Sequence, residues 1–263
     1  MKKLALALSA VAAMTGSAYA ADLAPRTYTK APPPVVAPSW TGFYIFGGGG
    51  GGLWAADQHV QVTGANIPLT IDQRQGGSGW FGTVGAGYDW QFNGSWVAGI
   101  FGDGQFGSIK GTLQDPIAVG GLTGSEKLQD SWAAGVRLGY LVAPNVLSYV
   151  NGGYSGAHFS GMTLLGTTTG LPGGVHTNGF NQNGWFIGGG VENNLNIFGI
   201  TAPGWFMKTE YRSAFYDRKT VNELVDGTNA LVGRDLRFNT WNQTISTSLV
   251  YRFNWTGPVV AKY

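Results

Sequence analysis

Three alternating charges, Lys208, Glu210 and Arg212, lie within an otherwise apolar and aromatic stretch from Gly204 to Tyr216. In a strand, successive side chains point to opposite faces. These three therefore share one side, while Trp205, Met207, Thr209, Tyr211, Ser213 and Phe215 share the other. Reading other stretches in the same way adds Asp89, Asp103, Glu192, Arg137 and Arg252 to the charged side. Four acids meet four bases. A neutral set of this kind suits a network shielded from bulk water, where an unpaired charge would be prohibitively costly. Its structural role is to hold an enclosed interior together; the alternatives are a gated or narrow conducting path and a binding site.

Other candidate chemistry is sparse. His59, His158 and His176 have no partner at metal-ligand spacing. The chain has no cysteine, which removes disulfides and thiolate sites, and no G-x-S-x-G stands at a strand-to-helix turn. The glycines from Gly47 to Gly52 match nucleotide-binding patterns only trivially, because no helix follows them. The chain is therefore expected not to be an enzyme and to hold no metal.

The charged positions need strands to carry them. From Trp80 to Phe92, Trp80, Gly82, Val84, Ala86, Tyr88, Trp90 and Phe92 share one face, with Thr83, Asp89 and Gln91 opposite. The run from Trp80 to Trp90, at ~3.4 Å per residue and a tilt near 40°, spans about 25 Å, the height of the apolar band of a membrane barrel. Asn93-Gly94 then supplies a tight hairpin. The pattern returns with Trp96, Ala98 and Ile100 against Asp103 and Gln105, although Val97 and Phe101 blur it. It continues with Trp132, Ala134, Val136, Leu138 and Tyr140 against Arg137, and with Trp185, Ile187 and Val191 against Glu192. It closes with Ile245, Leu249, Tyr251 and Phe253 against Arg252. The stretches Trp40–Trp54 and Val146–Phe159 are also strand-like but have no assignable face. The expected aromatic girdle is Trp80, Trp90, Trp96, Trp132, Tyr140, Trp185, Trp205, Tyr211, Phe215, Tyr251 and Phe253.

This makes eight strands, with long connections at 55–78, 107–129, 160–183 and 217–238 alternating with short ones. A basic residue facing the middle of a bilayer costs roughly 2–4 kcal/mol, so the charged rows must face inward. The expected fold is all-β: an eight-stranded antiparallel up-and-down transmembrane barrel with four long external loops. Eight strands leave a bore just wide enough for side chains to fill. A soluble barrel of the lipocalin type would invert the pattern, with apolar side chains inside and polar ones outside. Aromatics at both ends of the apolar faces and long loops at one end only argue against it.

Residues 1–20 read as a secretory signal: Lys2 and Lys3 precede an apolar run, and Ala18-Tyr19-Ala20 fits a cleavage site. Removing two lysines takes the formal charge from +2 to about zero, which predicts no nucleic-acid partner. Residues 21–39, rich in proline, read as a periplasmic tether, 40–255 as the barrel and 256–263 as an appended tail. Beyond the signal no apolar run approaches the ~18 residues of a spanning helix. Any crossing must therefore be a closed barrel.

The proline-rich start, Trp40-Thr-Gly-Phe-Tyr-Ile45, and the close at Tyr251-Arg-Phe-Asn-Trp255 with Gly257-Pro-Val-Val-Ala-Lys-Tyr263 resemble the Omp25/Omp31-type outer-membrane β-barrel proteins of alphaproteobacteria. The resemblance covers essentially the whole chain. It implies a porin-like surface antigen of the Gram-negative outer membrane that contributes to envelope integrity, with both termini periplasmic. Implied partners are outer-membrane lipids and lipopolysaccharide, the barrel assembly machinery, and peptidoglycan or a host surface. Some relatives are described as haem-binding, and here His59 and His176 are the side chains that could serve. Two features depart from the family. The assembly signal, read as Ser248–Phe253, is followed by ten more residues, and the glycine run after Phe46 is long enough to loosen its strand.

Overall fold

The computed structural model describes residues 39–118, 120–197 and 200–253. The expected signal segment, the tail and all of the tether except Ser39 lie outside these residues. Eleven strands follow in chain order: β1 (Gly42–Val62), β2 (Gln73–Phe92), β3 (Trp96–Asp115), β4 (Leu122–Ala143), β5 (Val146–Phe159), β6 (Met162–Gly166), β7 (Pro172–Thr177), β8 (Phe180–Ile197), β9 (Ile200–Tyr216), β10 (Lys219–Val225) and β11 (Leu231–Arg252). All pairings are antiparallel. The ring β1-β2-β3-β4-β5-β8-β9-β11 closes where β1 pairs with β11 from Tyr44↔Arg252 to Val62↔Arg234. The Asn93-Gly94 hairpin has positive φ at both residues, 47° and 74°, as its twist-matched turn requires.

Most strands in the ring are much longer than a bilayer needs. Twenty residues tilted by about 40° rise about 50 Å, roughly twice the apolar band of a membrane barrel. The four long connections keep strand backbone for much of their length. At that end β5, β8 and β9 stop, and the short strands β6, β7 and β10 take their places. There β4 pairs with β6, β6 with β7, β7 with β10 and β10 with β11. A second eight-membered ring, β1-β2-β3-β4-β6-β7-β10-β11, thus stands on the first. Backbone hydrogen bonds Thr63→Gly233, Thr167→Gly121 and Asp226→Gly174 tie its turns together.

The chemistry of the inner and outer faces exchanges between the two rings. In the first, Trp80, Val84, Trp90, Ile100, Trp132, Val136, Trp185, Ile187 and Ile245 are exposed, while charged residues are buried inside. In the second, the inside holds Trp54, Ile109, Leu113, Leu128, Phe159, Leu164, Phe180, Leu236 and Phe238, and the outside carries Lys110, Thr112, Gln114, Asp217 and Arg218. The outer ring is therefore built like a soluble barrel, so the inverted pattern is present, confined to this end. On β4 the switch coincides with a bulge between Leu128 and Asp130. Inward residues run Ser131, Ala133 and Arg137 on one side of it and Leu128, Glu126 and Leu122 on the other, a change of parity.

The two stretches whose faces the sequence leaves open are now assigned. On β1, Tyr44, Phe46, Trp54 and Ala56 point inward and Phe43, Ile45 and Leu53 outward; on β5, Leu147, Tyr149 and Asn151 point inward and Val150 and Tyr154 outward. The glycine run does not interrupt β1, whose pairs with β2 and β11 continue unbroken from Gly47 to Gly52. The run is needed because β11 approaches closely: a Cβ on Gly48 or Gly50 would fall on the carbonyl oxygen of Thr247 or Ile245, whereas one on Gly47 would find its nearest atoms 3.8 Å away. Gly50→Ala is accordingly expected to weaken the closing seam by about 1–3 kcal/mol and to lower the yield of the heat-modifiable folded form on gels. Gly47→Ala should refold like the wild type.

Candidate functional site: the charged interior of the membrane ring

All eight charged residues singled out in the sequence are buried inside the first ring. Arg137 donates through Nε to Asp89 Oδ1 at 2.8 Å, pairs again with Asp89 Oδ2, and reaches Glu192 Oε2 through Nη1 at 3.1 Å. Arg252 binds the same two acids, donating to Glu192 Oε1 from Nε at 2.8 Å and approaching Asp89 Oδ2 from Nη1 at 2.8 Å. Two acids and two arginines form a closed square. Arg212 makes a two-pronged pair with Asp103, at 2.9 and 2.7 Å, and reaches Glu210 Oε1 at 2.7 Å. Lys208 Nζ lies 3.7 Å from Glu210 Oε2.

Sequence reasoning missed that this interior is also aromatic. The Arg137 guanidinium lies 4.4 Å from the ring centre of Tyr44 and 5.2 Å from that of Tyr149. Arg252 lies 4.4 Å from the Trp40 ring and 4.9 Å from Tyr44. Arg212 stands over Phe186 and Lys208 over Phe46, at 4.7 and 3.3 Å. Rings present negative faces to cations, an attraction that strengthens away from water. Tyr149 joins the two clusters, because its ring is beside Arg137 and its hydroxyl donates to Glu210 Oε2 at 2.8 Å. Val97 and Phe101, which blur the pattern of β3, belong to this interior. The available signal is parity: Phe101, Phe186 and Phe206 fall in step with Asp103, Glu192 and Lys208.

Every strand of the first ring contributes a group. Tyr44 and Phe46 come from β1, Asp89 from β2, Asp103 from β3, Arg137 from β4, Tyr149 from β5, Glu192 from β8, Lys208, Glu210 and Arg212 from β9, and Arg252 from β11. The aromatic residues expected on the outside are exposed, with Tyr251 partly so. Several meet across strands: Trp96 with Tyr140, Trp205 with Tyr251, and Trp185 stacked on Phe215. Tyr211 is outward but lies between Trp205 and Phe215 along β9, within the band rather than at its edge.

With this geometry in place, two curated relatives can be compared. The 31 kDa outer-membrane immunogenic proteins of Brucella melitensis biotype 1 and Brucella suis biovar 1 are each 30% identical to the chain over 262 residues, spanning 94% of this chain and 98% of theirs. The chain belongs to the Omp25/Omp31-type outer-membrane protein family. It is a β-barrel of the Gram-negative outer membrane, so the short turns face the periplasm and the second ring stands outside the cell. No family model matches the chain. Among solved structures, OprG from Pseudomonas aeruginosa superposes with a TM-score of 0.52 at 12% identity, covering 81% of this chain and 97% of that one, a likeness of fold.

Each of the three histidines is held by a neighbouring side chain. His59 and His176 lie in strands β1 and β7 rather than in loops. Their Nδ1 atoms are held by different aspartates, Asp72 at 2.8 Å and Asp226 at 2.7 Å. His158 Nδ1 lies 2.6 Å from Asn181 Oδ1. Among the described residues, no three His, Cys, Asp or Glu are grouped to hold a metal ion.

Removing one member of a buried pair leaves its partners uncompensated and costs about 3–5 kcal/mol. Arg137→Ala, which strips one base from the square, should lower unfolding stability in micelles by that amount. Arg74→Ala, at the exposed pair with Asp57, should leave the denaturation midpoint unchanged.

Proposed function

We propose that the chain is a structural and surface-presenting component of the outer membrane whose bore is closed. The observation that carries this reading is the bracing of all eight membrane strands by one interior network of ion pairs and aromatic rings. A path for solutes would have to part these contacts, and parting a buried pair leaves its charges uncompensated. A second obstruction stands above the network. Trp54 meets Phe159 edge-on at 5.8 Å, Phe159 stacks on Phe180 at 5.1 Å, and Phe180 meets Phe238 at 5.0 Å. These rings place an apolar layer over the polar one.

The outer ring gives the surface role its form. Its turns are bonded to one another, so it presents a fixed surface rather than four independent loops. That surface accords with the description of the Brucella relatives as immunogenic. The proposed partners are the lipids and lipopolysaccharide around the wall, with peptidoglycan on the periplasmic side or a host surface outside.

Planar-bilayer recording on purified protein tests the closed bore. The wild type is expected to give no steady ohmic openings, and Arg137→Ala to give intermittent ones as the square loses a member. Reproducible wild-type conductance would overturn the reading in favour of a narrow solute channel.

A further inference from the structure

The outer ring encloses a second set of charges with a different balance. Asp115 on β3, Glu126 on β4, Glu223 on β10 and Arg234 on β11 all face inward, three acids with one base bonded to two of them. Arg234 Nη2 lies 3.0 Å from Asp115 Oδ2 and 3.3 Å from Glu223 Oε2. Glu126 shares none of this. It is 1% exposed, and neither of its carboxyl oxygens has a hydrogen-bond partner. Leu122 and Leu128 flank it on the same face of β4, and Met162 and Leu164 crowd the neighbouring Gly124. Its ladder partner Gly111 is covered by the Trp54 indole, whose nitrogen donates to Ile109 O at 3.1 Å.

We propose that the outer ring is a proton-dependent closure: its apolar layer stays packed while Glu126 and Glu223 retain protons, and it loosens when they ionise. An ionised carboxylate in an apolar site needs a paired cation or hydrogen bonds, and the surrounding elements offer Glu126 neither. β1 turns Gln58 inward but Asp57 and His59 outward, and β2 turns Arg74 outward onto Asp57. β3 presents Asp115 inward and Lys110 outward, and β4 turns its own Lys127 outward. His158 on β5 and His176 on β7 face outward, and β6 has no titratable side chain. β10 adds the acid Glu223 and, four residues away on the same face, the half-buried Lys219; Arg234 on β11 is already held by two acids, with Arg237 outward.

Glu126 lies six residues along β4 from Trp132, outside the membrane band. Burial pushes its carboxyl up to about 8. Glu223 is raised to about 7, first by burial and then by Asp115 beside it, against the opposing pull of Arg234. For acids raised in the closed state, the stabilisation is complete below their solvated value of about 4.5 and is lost as pH rises through about 7 to 8. Closure is therefore favoured by acid and eroded toward alkaline pH.

Amide hydrogen exchange on the full chain in micelles, read by mass spectrometry at about pH 5 and about pH 9 with intrinsic rates corrected, tests this. Peptides from 107–128 and 231–240 are expected to lose protection by roughly tenfold or more at the higher pH, where tenfold corresponds to one unit of linked pKa shift. Peptides spanning Trp132–Tyr140 and Trp205–Phe215 are expected to hold theirs. Glu126→Gln, which keeps the shape and removes the titration, should shrink the difference, and so should Glu223→Gln should the first variant fail to fold. Equal protection of the outer peptides at both pH values would overturn the proposal. So would an undiminished difference in the folded variants, or a loss shared equally by the membrane strands.

Discussion

A backbone amide inside hydrocarbon has no water to bond, and each unmet group there costs several kilocalories per mole. In this chain that requirement is met by closure, with β1 and β11 paired over their shared length so that the first ring has no open edge. Closure with eight strands then limits the bore to what side chains can fill. The contents of the bore are therefore part of the wall. Each strand's inward group bonds to, or stacks beneath, a group from another strand, so the ion pairs and rings act as cross-braces for a cylinder whose backbone bonds run only around its circumference.

The same wall continues out of the membrane, and its chemistry reverses because the solvent does. Facing acyl chains, the outside must be apolar and the inside can collect charge. Facing water, the outside collects Lys110, Asp217 and Arg218 and the inside fills with Trp54, Phe159, Phe180 and Phe238. The bulge in β4 lets one strand serve both environments by shifting which parity points inward. Replacement of β5, β8 and β9 by β6, β7 and β10 keeps eight strands in the circuit at both levels.

Legibility in the sequence followed the solvent. Trp205–Phe215, Trp80–Phe92 and Ile245–Phe253 face lipid on one side and an enclosed polar interior on the other, so alternation alone assigns their faces. Positions 107–129 and 160–183 read as long connections because their exposed residues are those of a water-facing sheet, and on β4 the bulge breaks the two-residue period. Glu126 could not be assigned from sequence for that reason: its parity is opposite to that of Arg137 on the same strand, although both point inward. Trp40–Phe46 was ambiguous because aromatics occupy both faces, those inside serving as platforms for guanidinium groups. The closeness of β1 to β11 at Gly48 and Gly50 is a property of the closed ring, which no local stretch records.

Three of the four bases in the membrane ring are arginine, and the contacts account for the choice. A guanidinium is a flat fork of donors that can hold two carboxylates along its edge while a ring covers its face. Arg137 and Arg252 each do this, holding Asp89 and Glu192 while lying beside Tyr44. An ammonium has neither the edge nor the face. Lys208 accordingly stands apart from the square, with a single carboxylate at 3.7 Å and the ring of Phe46 at 3.3 Å. Balanced charge alone would not distinguish lysine from arginine at these positions; the width of an eight-stranded bore does, because the base must span between acids on different strands and still pack against the aromatic lining.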